Sequence, residues 1–200
     1  IGASVIGTSH QQQQIPCQDF AIFKTLSGHS LLAVIADGAG SVSRGGDGAK
    51  IACQITSQYL EQAFNQQQQI DVELIQKAII HAHQQLIQVA KKNTLTQSDY
   101  ACTLLGILVT PTHAFAFQIG DGAIIVNSCG VQGVVFWPDN GLYANMTYFL
   151  TDEDYLQHIH VVQINTPLEE VILLTDGLQR LALVLDSKIA HEPFFGPIFK

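Results

Sequence analysis

Three times in this chain an apolar run stops at an aspartate and a glycine follows at once. Leu31–Ala36 leads into Asp37-Gly38, Phe117–Gly120 into Asp121-Gly122, and Val171–Thr175 into Asp176-Gly177. Aliphatic and β-branched runs of this length read as buried strands. Each would deliver a carboxylate at a strand tip, beside a residue without a Cβ, where backbone can approach a ligand closely. A carboxylate in such a place needs a cation or a donor, because burying it alone is very costly. Asp-Gly is also a common turn pair, and one copy supports a turn as well as it supports a site. Three copies at strand ends suit a metal site built from hard oxygen ligands.

The rest of the composition narrows the setting. Two hundred residues fit one domain with a substantial core, and 47% hydrophobic against 13% charged content marks a globular chain. A net charge of -8 argues against nucleic acid or an anionic membrane as the main partner. The longest apolar region, Val171 to Leu185, is broken by Asp176, Gln179 and Arg180, so no membrane span is expected. Cys17, Cys53, Cys102 and Cys129 are far apart with no C-x-x-C pair. They read as free buried thiols of a reducing cytoplasm rather than a zinc site. His81 and His83 are two apart on an expected helix and face different ways. His158 and His160 are two apart on an expected strand and would share a face, more in keeping with an exposed edge strand than with a metal pair.

In chain order, Ile1–Gly7 reads as a short first strand, followed by a polar loop to Pro16. Strands are expected at Asp19–Lys24 and Leu31–Ala36, and Ser41–Gly48 as a glycine-rich loop containing Arg44. From Ala49 the period becomes helical, with Ala52, Ile55, Tyr59 and Ala63 on one face. Asp71 is the expected N-cap of a second helix whose stripe is Ile75, Ala78, Ile79, Ala82, Leu86 and Val89. Thr103–Val109, Ala114–Ile119 and Ala123–Asn127 read as an antiparallel meander. Val131–Trp137, His158–Ile164 and Val171–Thr175 complete the strands, with Tyr143–Leu150 partly extended. Leu178–Leu185 reads as a short apolar helix. Two helices and then a strand-rich half indicate an α+β chain, with two packed sheets covered by helices.

Ordered motifs along nearly the whole chain resemble the type 2C metal-dependent protein serine/threonine phosphatases, in their compact bacterial branch. They are Gly7-Thr8-Ser9-His10 with Cys17-Gln18-Asp19, Ala36-Asp37-Gly38-Ala39-Gly40-Ser41 with Gly48-Ala49, and Ala101-Cys102-Thr103-Leu104-Leu105. Ile119-Gly120-Asp121-Gly122, Tyr143-Ala144-Asn145-Met146-Thr147, Leu174-Thr175-Asp176-Gly177-Leu178 and Pro193-Phe194-Phe195 follow.

The resemblance implies a four-layer α-β-β-α sandwich of two mainly antiparallel sheets, with a metal centre at one edge. Asp37 would bridge two Mg²⁺ or Mn²⁺ ions, the Gly38 carbonyl would ligate one of them, and Asp176 would hold the other. Asp121 would serve a weaker third site, and Asp19 would act nearby through water. A hydroxide shared by the two ions would attack phosphorus, with no protein nucleophile. The implied activity is hydrolysis of phosphoserine and phosphothreonine on protein substrates in the cytoplasm, opposite a cognate serine/threonine kinase. The other reading is a pseudophosphatase that binds a phosphoprotein or kinase without turnover.

Four departures accompany the resemblance. His10 stands where many members grip phosphate with Arg, and Gln18 stands where many have Glu. Ala39 replaces a His that some members carry. No Asp-Asp/Asn-x-Thr stretch follows Asp176, and Asp186 does not match one. The expected domain is therefore a single catalytic unit over 1–200 that lacks its C-terminal strand and last metal-binding Asp.

Overall fold

The computed structural model of the chain describes residues 2, 4–6, 16–139, 147–185 and 187–198. Its strands are β1 (Asp19–Leu26), β2 (Ser30–Asp37), β3 (Leu104–Val109), β4 (Ala114–Ile119), β5 (Ala123–Ser128), β6 (Val131–Phe136), β7 (His160–Ile164), β8 (Glu170–Leu174), β9 (Leu183–Val184) and β10 (Ile189–Ala190). Its helices are α1 (Gly45–Asn65), α2 (Val72–Lys92), α3 (Gln179–Ala182) and α4 (Glu192–Phe195). One sheet has the order β1-β2-β3-β4-β7, a second β6-β5-β8, and β9 pairs with β10. Neighbours in all three are antiparallel.

Strand alternation sorts the side chains into layers. Phe115, Phe117 and Ile119 of β4 join Leu32, Val34 and Ala36 of β2 beneath α1 and α2. The intervening residues, Ala114 and Ala116 with Ala33 and Ile35, face the second sheet and meet Ile124 there. On the far side of the second sheet, Ala123, Ile125 and Leu174 pack with Ala182 of α3 and Phe195 of α4. Three apolar interfaces thus join four layers, the α-β-β-α sandwich expected. Fully burying one Leu, Ile or Phe side chain contributes roughly 1.5–3 kcal/mol, so the layer under α1 and α2 is the main source of stability.

Several local expectations are corrected. Gly2 and Ser4–Ile6 form no strand. α1 begins at Gly45, inside the expected loop, because Gly45 and Gly48 let the helix lie directly on neighbouring backbone. A Cβ on Gly45 would stand 2.5 Å from the Ala39 carbonyl oxygen, and one on Gly48 2.1 Å from that of Tyr100. The sheet-facing side of α1 is Ala52, Cys53, Thr56, Ser57, Leu60 and Ala63. Small residues face the sheet, while half-buried Tyr59 turns towards His81 of α2, ring centroids 5.5 Å apart. In α2 the Asp71 side chain caps as expected, accepting from the Leu74 N–H at 2.8 Å.

The meander is also corrected. β3 and β4 pair, but the Gly120-Asp121-Gly122 turn carries the chain into the other sheet rather than back along β4. Gly120 has φ +105, a conformation open in practice only to glycine. His158 ends a 3-10 turn, Tyr155–His158, and stacks on Tyr148 at 3.4 Å, whereas His160 lies in β7. The two therefore share no strand face. The expected helix 178–185 is a 3-10 turn, Asp176–Leu178, then α3, then β9. Cys53 and Cys102 are buried thiols, but Cys129 is exposed in the β5–β6 turn. Tyr143–Met146 and Asp186 lie outside the described residues.

Candidate metal centre

Pairing register brings the acids to one end of both sheets. Asp19 and Asp37 are Cα partners at the open end of the β1–β2 hairpin. Asp37 continues the Ala33 and Ile35 face of β2, which looks towards the second sheet. Asp19 continues the Ala21 face of β1 in the same way. In the second sheet Ala123 of β5 pairs with Leu174 of β8. Asp121 stands two residues before the one and Asp176 two residues after the other, so both leave the sheet at the same end. One aspartate comes from each of β1, β2, the β4–β5 turn and the end of β8.

Backbone contacts fix Asp37 in place. Its N–H donates to the Thr103 hydroxyl at 3.0 Å, and its carbonyl accepts from the Thr103 N–H at 2.9 Å. Gly38 N–H donates to the Gln18 carbonyl at 3.1 Å, and Ala39 N–H to the Ala101 carbonyl at 2.9 Å. A Cβ on Gly38 would lie 2.2 Å from the Gly45 carbonyl carbon, so only glycine lets the start of α1 sit against the strand tip. The Asp121 carbonyl accepts from the Gln179 side-chain amide of α3. Gln118 donates to the Gly120 carbonyl at 3.1 Å.

Electrostatics reports how close the carboxylates are. Asp37 is pushed up to about 9, first by burial, then by the charge of Asp19, by Asp176 as hydrogen-bond partner and charge, and by Asp121. Asp121 is also raised, by burial and then by Asp176, with its own backbone and the Thr147 hydroxyl acting in opposition. Like charges gathered in this way favour one another's protonation unless a cation neutralises them. Among the described residues no three acidic, histidine or cysteine side chains are already placed to hold a metal ion together. The donor set among the described residues is carboxylate; the one thiol that feels the Asp37 charge, Cys102, is buried, and burial and then that charge push it up, keeping it protonated. The Gln18 Oε1, next to Asp19, is buried and has no hydrogen-bond partner among the described residues. This is chemistry that fits hard divalent cations, for which Asp37, Asp19, Asp121 and Asp176 could serve as ligands.

The protein phosphatase 2C family model matches residues 6–200. The chain belongs to the protein phosphatase 2C family. Serine/threonine-protein phosphatase 3 of Escherichia coli (strain K12) is 36% identical over 202 residues, covering 98% of this chain and 80% of that protein. The crystal structure of the serine/threonine phosphatase Stp1 from Staphylococcus aureus has the same fold, with TM-score 0.63 and 15% identity over 92% of this chain and 81% of that one. RsbX in complex with magnesium matches with TM-score 0.56 and 17% identity over 82% and 68% of the two chains. As a 2C family member the chain falls in the class of serine/threonine protein phosphatases.

Within this 2C phosphatase, the sequence-predicted residues Asp19, Asp37, Gly38, Asp121 and Asp176 come together. His10, the expected phosphate ligand, lies outside the described residues, as do Gly7–Ser9. Sequence reasoning missed the supporting groups Thr103, Gln118 and Gln179. Gln118 had a readable signal, being the one polar residue in the run Ala114–Ile119. Among the described residues no helix is long and apolar enough to cross a membrane.

Proposed function

We propose that this chain hydrolyses phosphoserine and phosphothreonine on protein substrates with the help of Mg²⁺ or Mn²⁺. The observation that carries the reading is the convergence of Asp19, Asp37, Asp121 and Asp176 from both sheets at one end of the sandwich. Asp37, with the Gly38 carbonyl beside it, and Asp176 would hold the tightly bound ions, and Asp121 would hold a weaker one. Asp19 supports the centre through water. Such ions, when bound, would supply positive charge to the phosphoryl oxygens and lower the pKa of a bound water.

The chain's own residues orient and neutralise rather than attack. Cys102, the nearest thiol in sequence to Thr103, is fully buried, and burial pushes its pKa up, away from the thiolate a nucleophile needs. The Thr103 hydroxyl is committed to the Asp37 N–H. The attack on phosphorus is assigned to water, which protein dipoles and acids would position. His10 is assigned to the phosphate oxygens. The setting is the cytoplasm and the substrate is the product of a serine/threonine kinase.

The test is phosphate release from phosphoserine and phosphothreonine peptides with Mn²⁺, then with the ion chelated. Release that needs the ion supports the reading. Peptide binding with no release under either condition overturns it in favour of a pseudophosphatase.

A further inference from the structure

Next to the Gly120-Asp121 turn lies an open cleft of about 280 Å³, lined by Val135, Phe136, Trp137, Pro138, Asp139 and His160. Three bonds tie it to the acidic edge. Asp139 N–H donates to the Gly120 carbonyl at 3.3 Å, one residue before Asp121. The fully buried Gln118 amide donates both to Gly120 at 3.1 Å and to the Trp137 carbonyl at 3.2 Å. Gln118 is also the β4 partner of His160 in β7. The cleft thus begins within one residue of Asp121 along the chain. A residue of extended peptide spans about 3.3–3.6 Å, so the residues flanking a phosphorylated one held at the Asp121 end of the sandwich run towards it.

Its size and lining select an occupant. The volume lies below the range of roughly 300–1,000 Å³ usual for small-molecule sites, yet it has room for one side chain. Among the described lining residues Asp139 is the one carboxylate, and no lysine or arginine lines the wall. Asp139 is partly exposed and shares its Oδ2 with His160 Nε2 at 3.1 Å, and the His160 and Phe136 ring centroids lie 6.0 Å apart. A carboxylate set among aromatic rings is complementary to a planar cation, which can pair with the acid and lie on a ring.

We propose that this cleft receives a basic side chain, arginine above all, flanking the phosphorylated serine or threonine of a protein substrate. The assignment rests on the phosphatase reading above and names the substrate class that reading leaves open.

Trp137 is the chain's sole tryptophan, so its fluorescence reads occupancy directly. The full chain with Mn²⁺ is titrated with phosphonate analogues of a phosphoserine peptide, in an alanine background, with Arg, Leu, Glu or Ala placed in turn at each flanking position. At one position Arg binds about five- to tenfold more tightly than Ala, the range of one exposed ion pair and a cation–π contact. Asp139→Asn brings that ratio below about twofold, and Asp139→Lys moves the preference to Glu. No Arg preference at any position, an equal preference for Leu, or an Arg preference that survives both substitutions overturns the proposal. Hydrolysis of p-nitrophenyl phosphate, which has no flanking residue, is read separately. Turnover without flank preference removes the cleft assignment alone; Arg preference without turnover keeps it and removes the phosphatase reading.

Discussion

Asp19 and Asp37 sit directly opposite one another across β1 and β2, two carboxylates on the same face of one hairpin. Like charges in that relation oppose strand pairing. The hairpin nonetheless closes, because seven further register pairs from Phe20↔Ala36 to Leu26↔Ser30 lie behind them and bury an apolar face. The fold therefore stabilises an arrangement that the acids alone resist, and a bound divalent ion would remove the repulsion.

The metal-free protein should lose stability as pH rises. A carboxyl raised from 3.8 to about 9 in the folded state keeps a proton that the unfolded chain has released. Between those values the folded state binds more protons at Asp37, so the Asp37 contribution to stability is full below about 4 and is lost as pH climbs towards 9. Urea unfolding in chelator across this window should follow that slope, and Asp37→Asn or added Mn²⁺ should flatten it. A metal-free stability that is level or rises with pH contradicts the clustering.

Thr103 is expected to act as a positioning residue. Thr103→Val leaves the Asp37 N–H without its acceptor, a loss of about 1–3 kcal/mol for a buried donor. Mn²⁺ affinity and turnover should fall together, and Thr103→Ser should restore both. Wild-type Mn²⁺ affinity in Thr103→Val would show that Asp37 is held by other means.

Gly38→Ala places a methyl 2.2 Å from the Gly45 backbone, where no flexible side chain can yield. Overpacking of this kind costs about 1–3 kcal/mol, and here it separates β2 from the start of α1. Lowered thermal stability with reduced turnover is expected. Gly133→Ala, which meets nothing within 4 Å, is the control and should change neither.

His10 should be visible in the pH profile. A phosphate ligand that must be protonated loses its grip as pH rises past a reference value near 6.5. Water activation has the opposite demand, so kcat/KM should be bell-shaped. His10→Arg should flatten the alkaline limb, and His10→Ala should raise KM more than it lowers kcat. An unchanged KM in His10→Ala across the range would remove this role.

The strand tips that carry Asp37 and Asp176 were legible because strand ends carry simple punctuation. Leu31–Ala36 and Val171–Leu174 are apolar runs whose length, period and terminal Asp-Gly survive folding almost unchanged. The sheet exchange at Gly120 was not legible, since a short glycine turn reads the same whether it closes a hairpin or crosses to another layer. The register of α1 was misjudged because size, not hydrophobicity, decided it: Ser57 and Thr56 face the sheet and Tyr59 does not. Thr103 and Gln179 act through backbone atoms 66 and 58 residues away in sequence, a relation no local pattern encodes.

On the proposed assignment Asp121 would hold only a weaker third ion. Asp121→Ala should reduce turnover while the high-affinity Mn²⁺ sites remain in calorimetry. Equal loss of tight binding in Asp121→Ala and Asp37→Ala would contradict the roles assigned.

The central claim is that Asp37 joins the acids of two sheets into one divalent-metal catalytic centre. Mn²⁺-dependent phosphate release from a phosphoserine peptide, compared between the wild-type chain and Asp37→Asn at matched folding stability, tests it most directly. The account predicts release in the wild type that disappears on chelation, returns with Mn²⁺, and falls at least about 100-fold in Asp37→Asn, a transition-state loss near 2.7 kcal/mol. Release that persists in chelator, or an Asp37→Asn chain as active as the wild type, would contradict it.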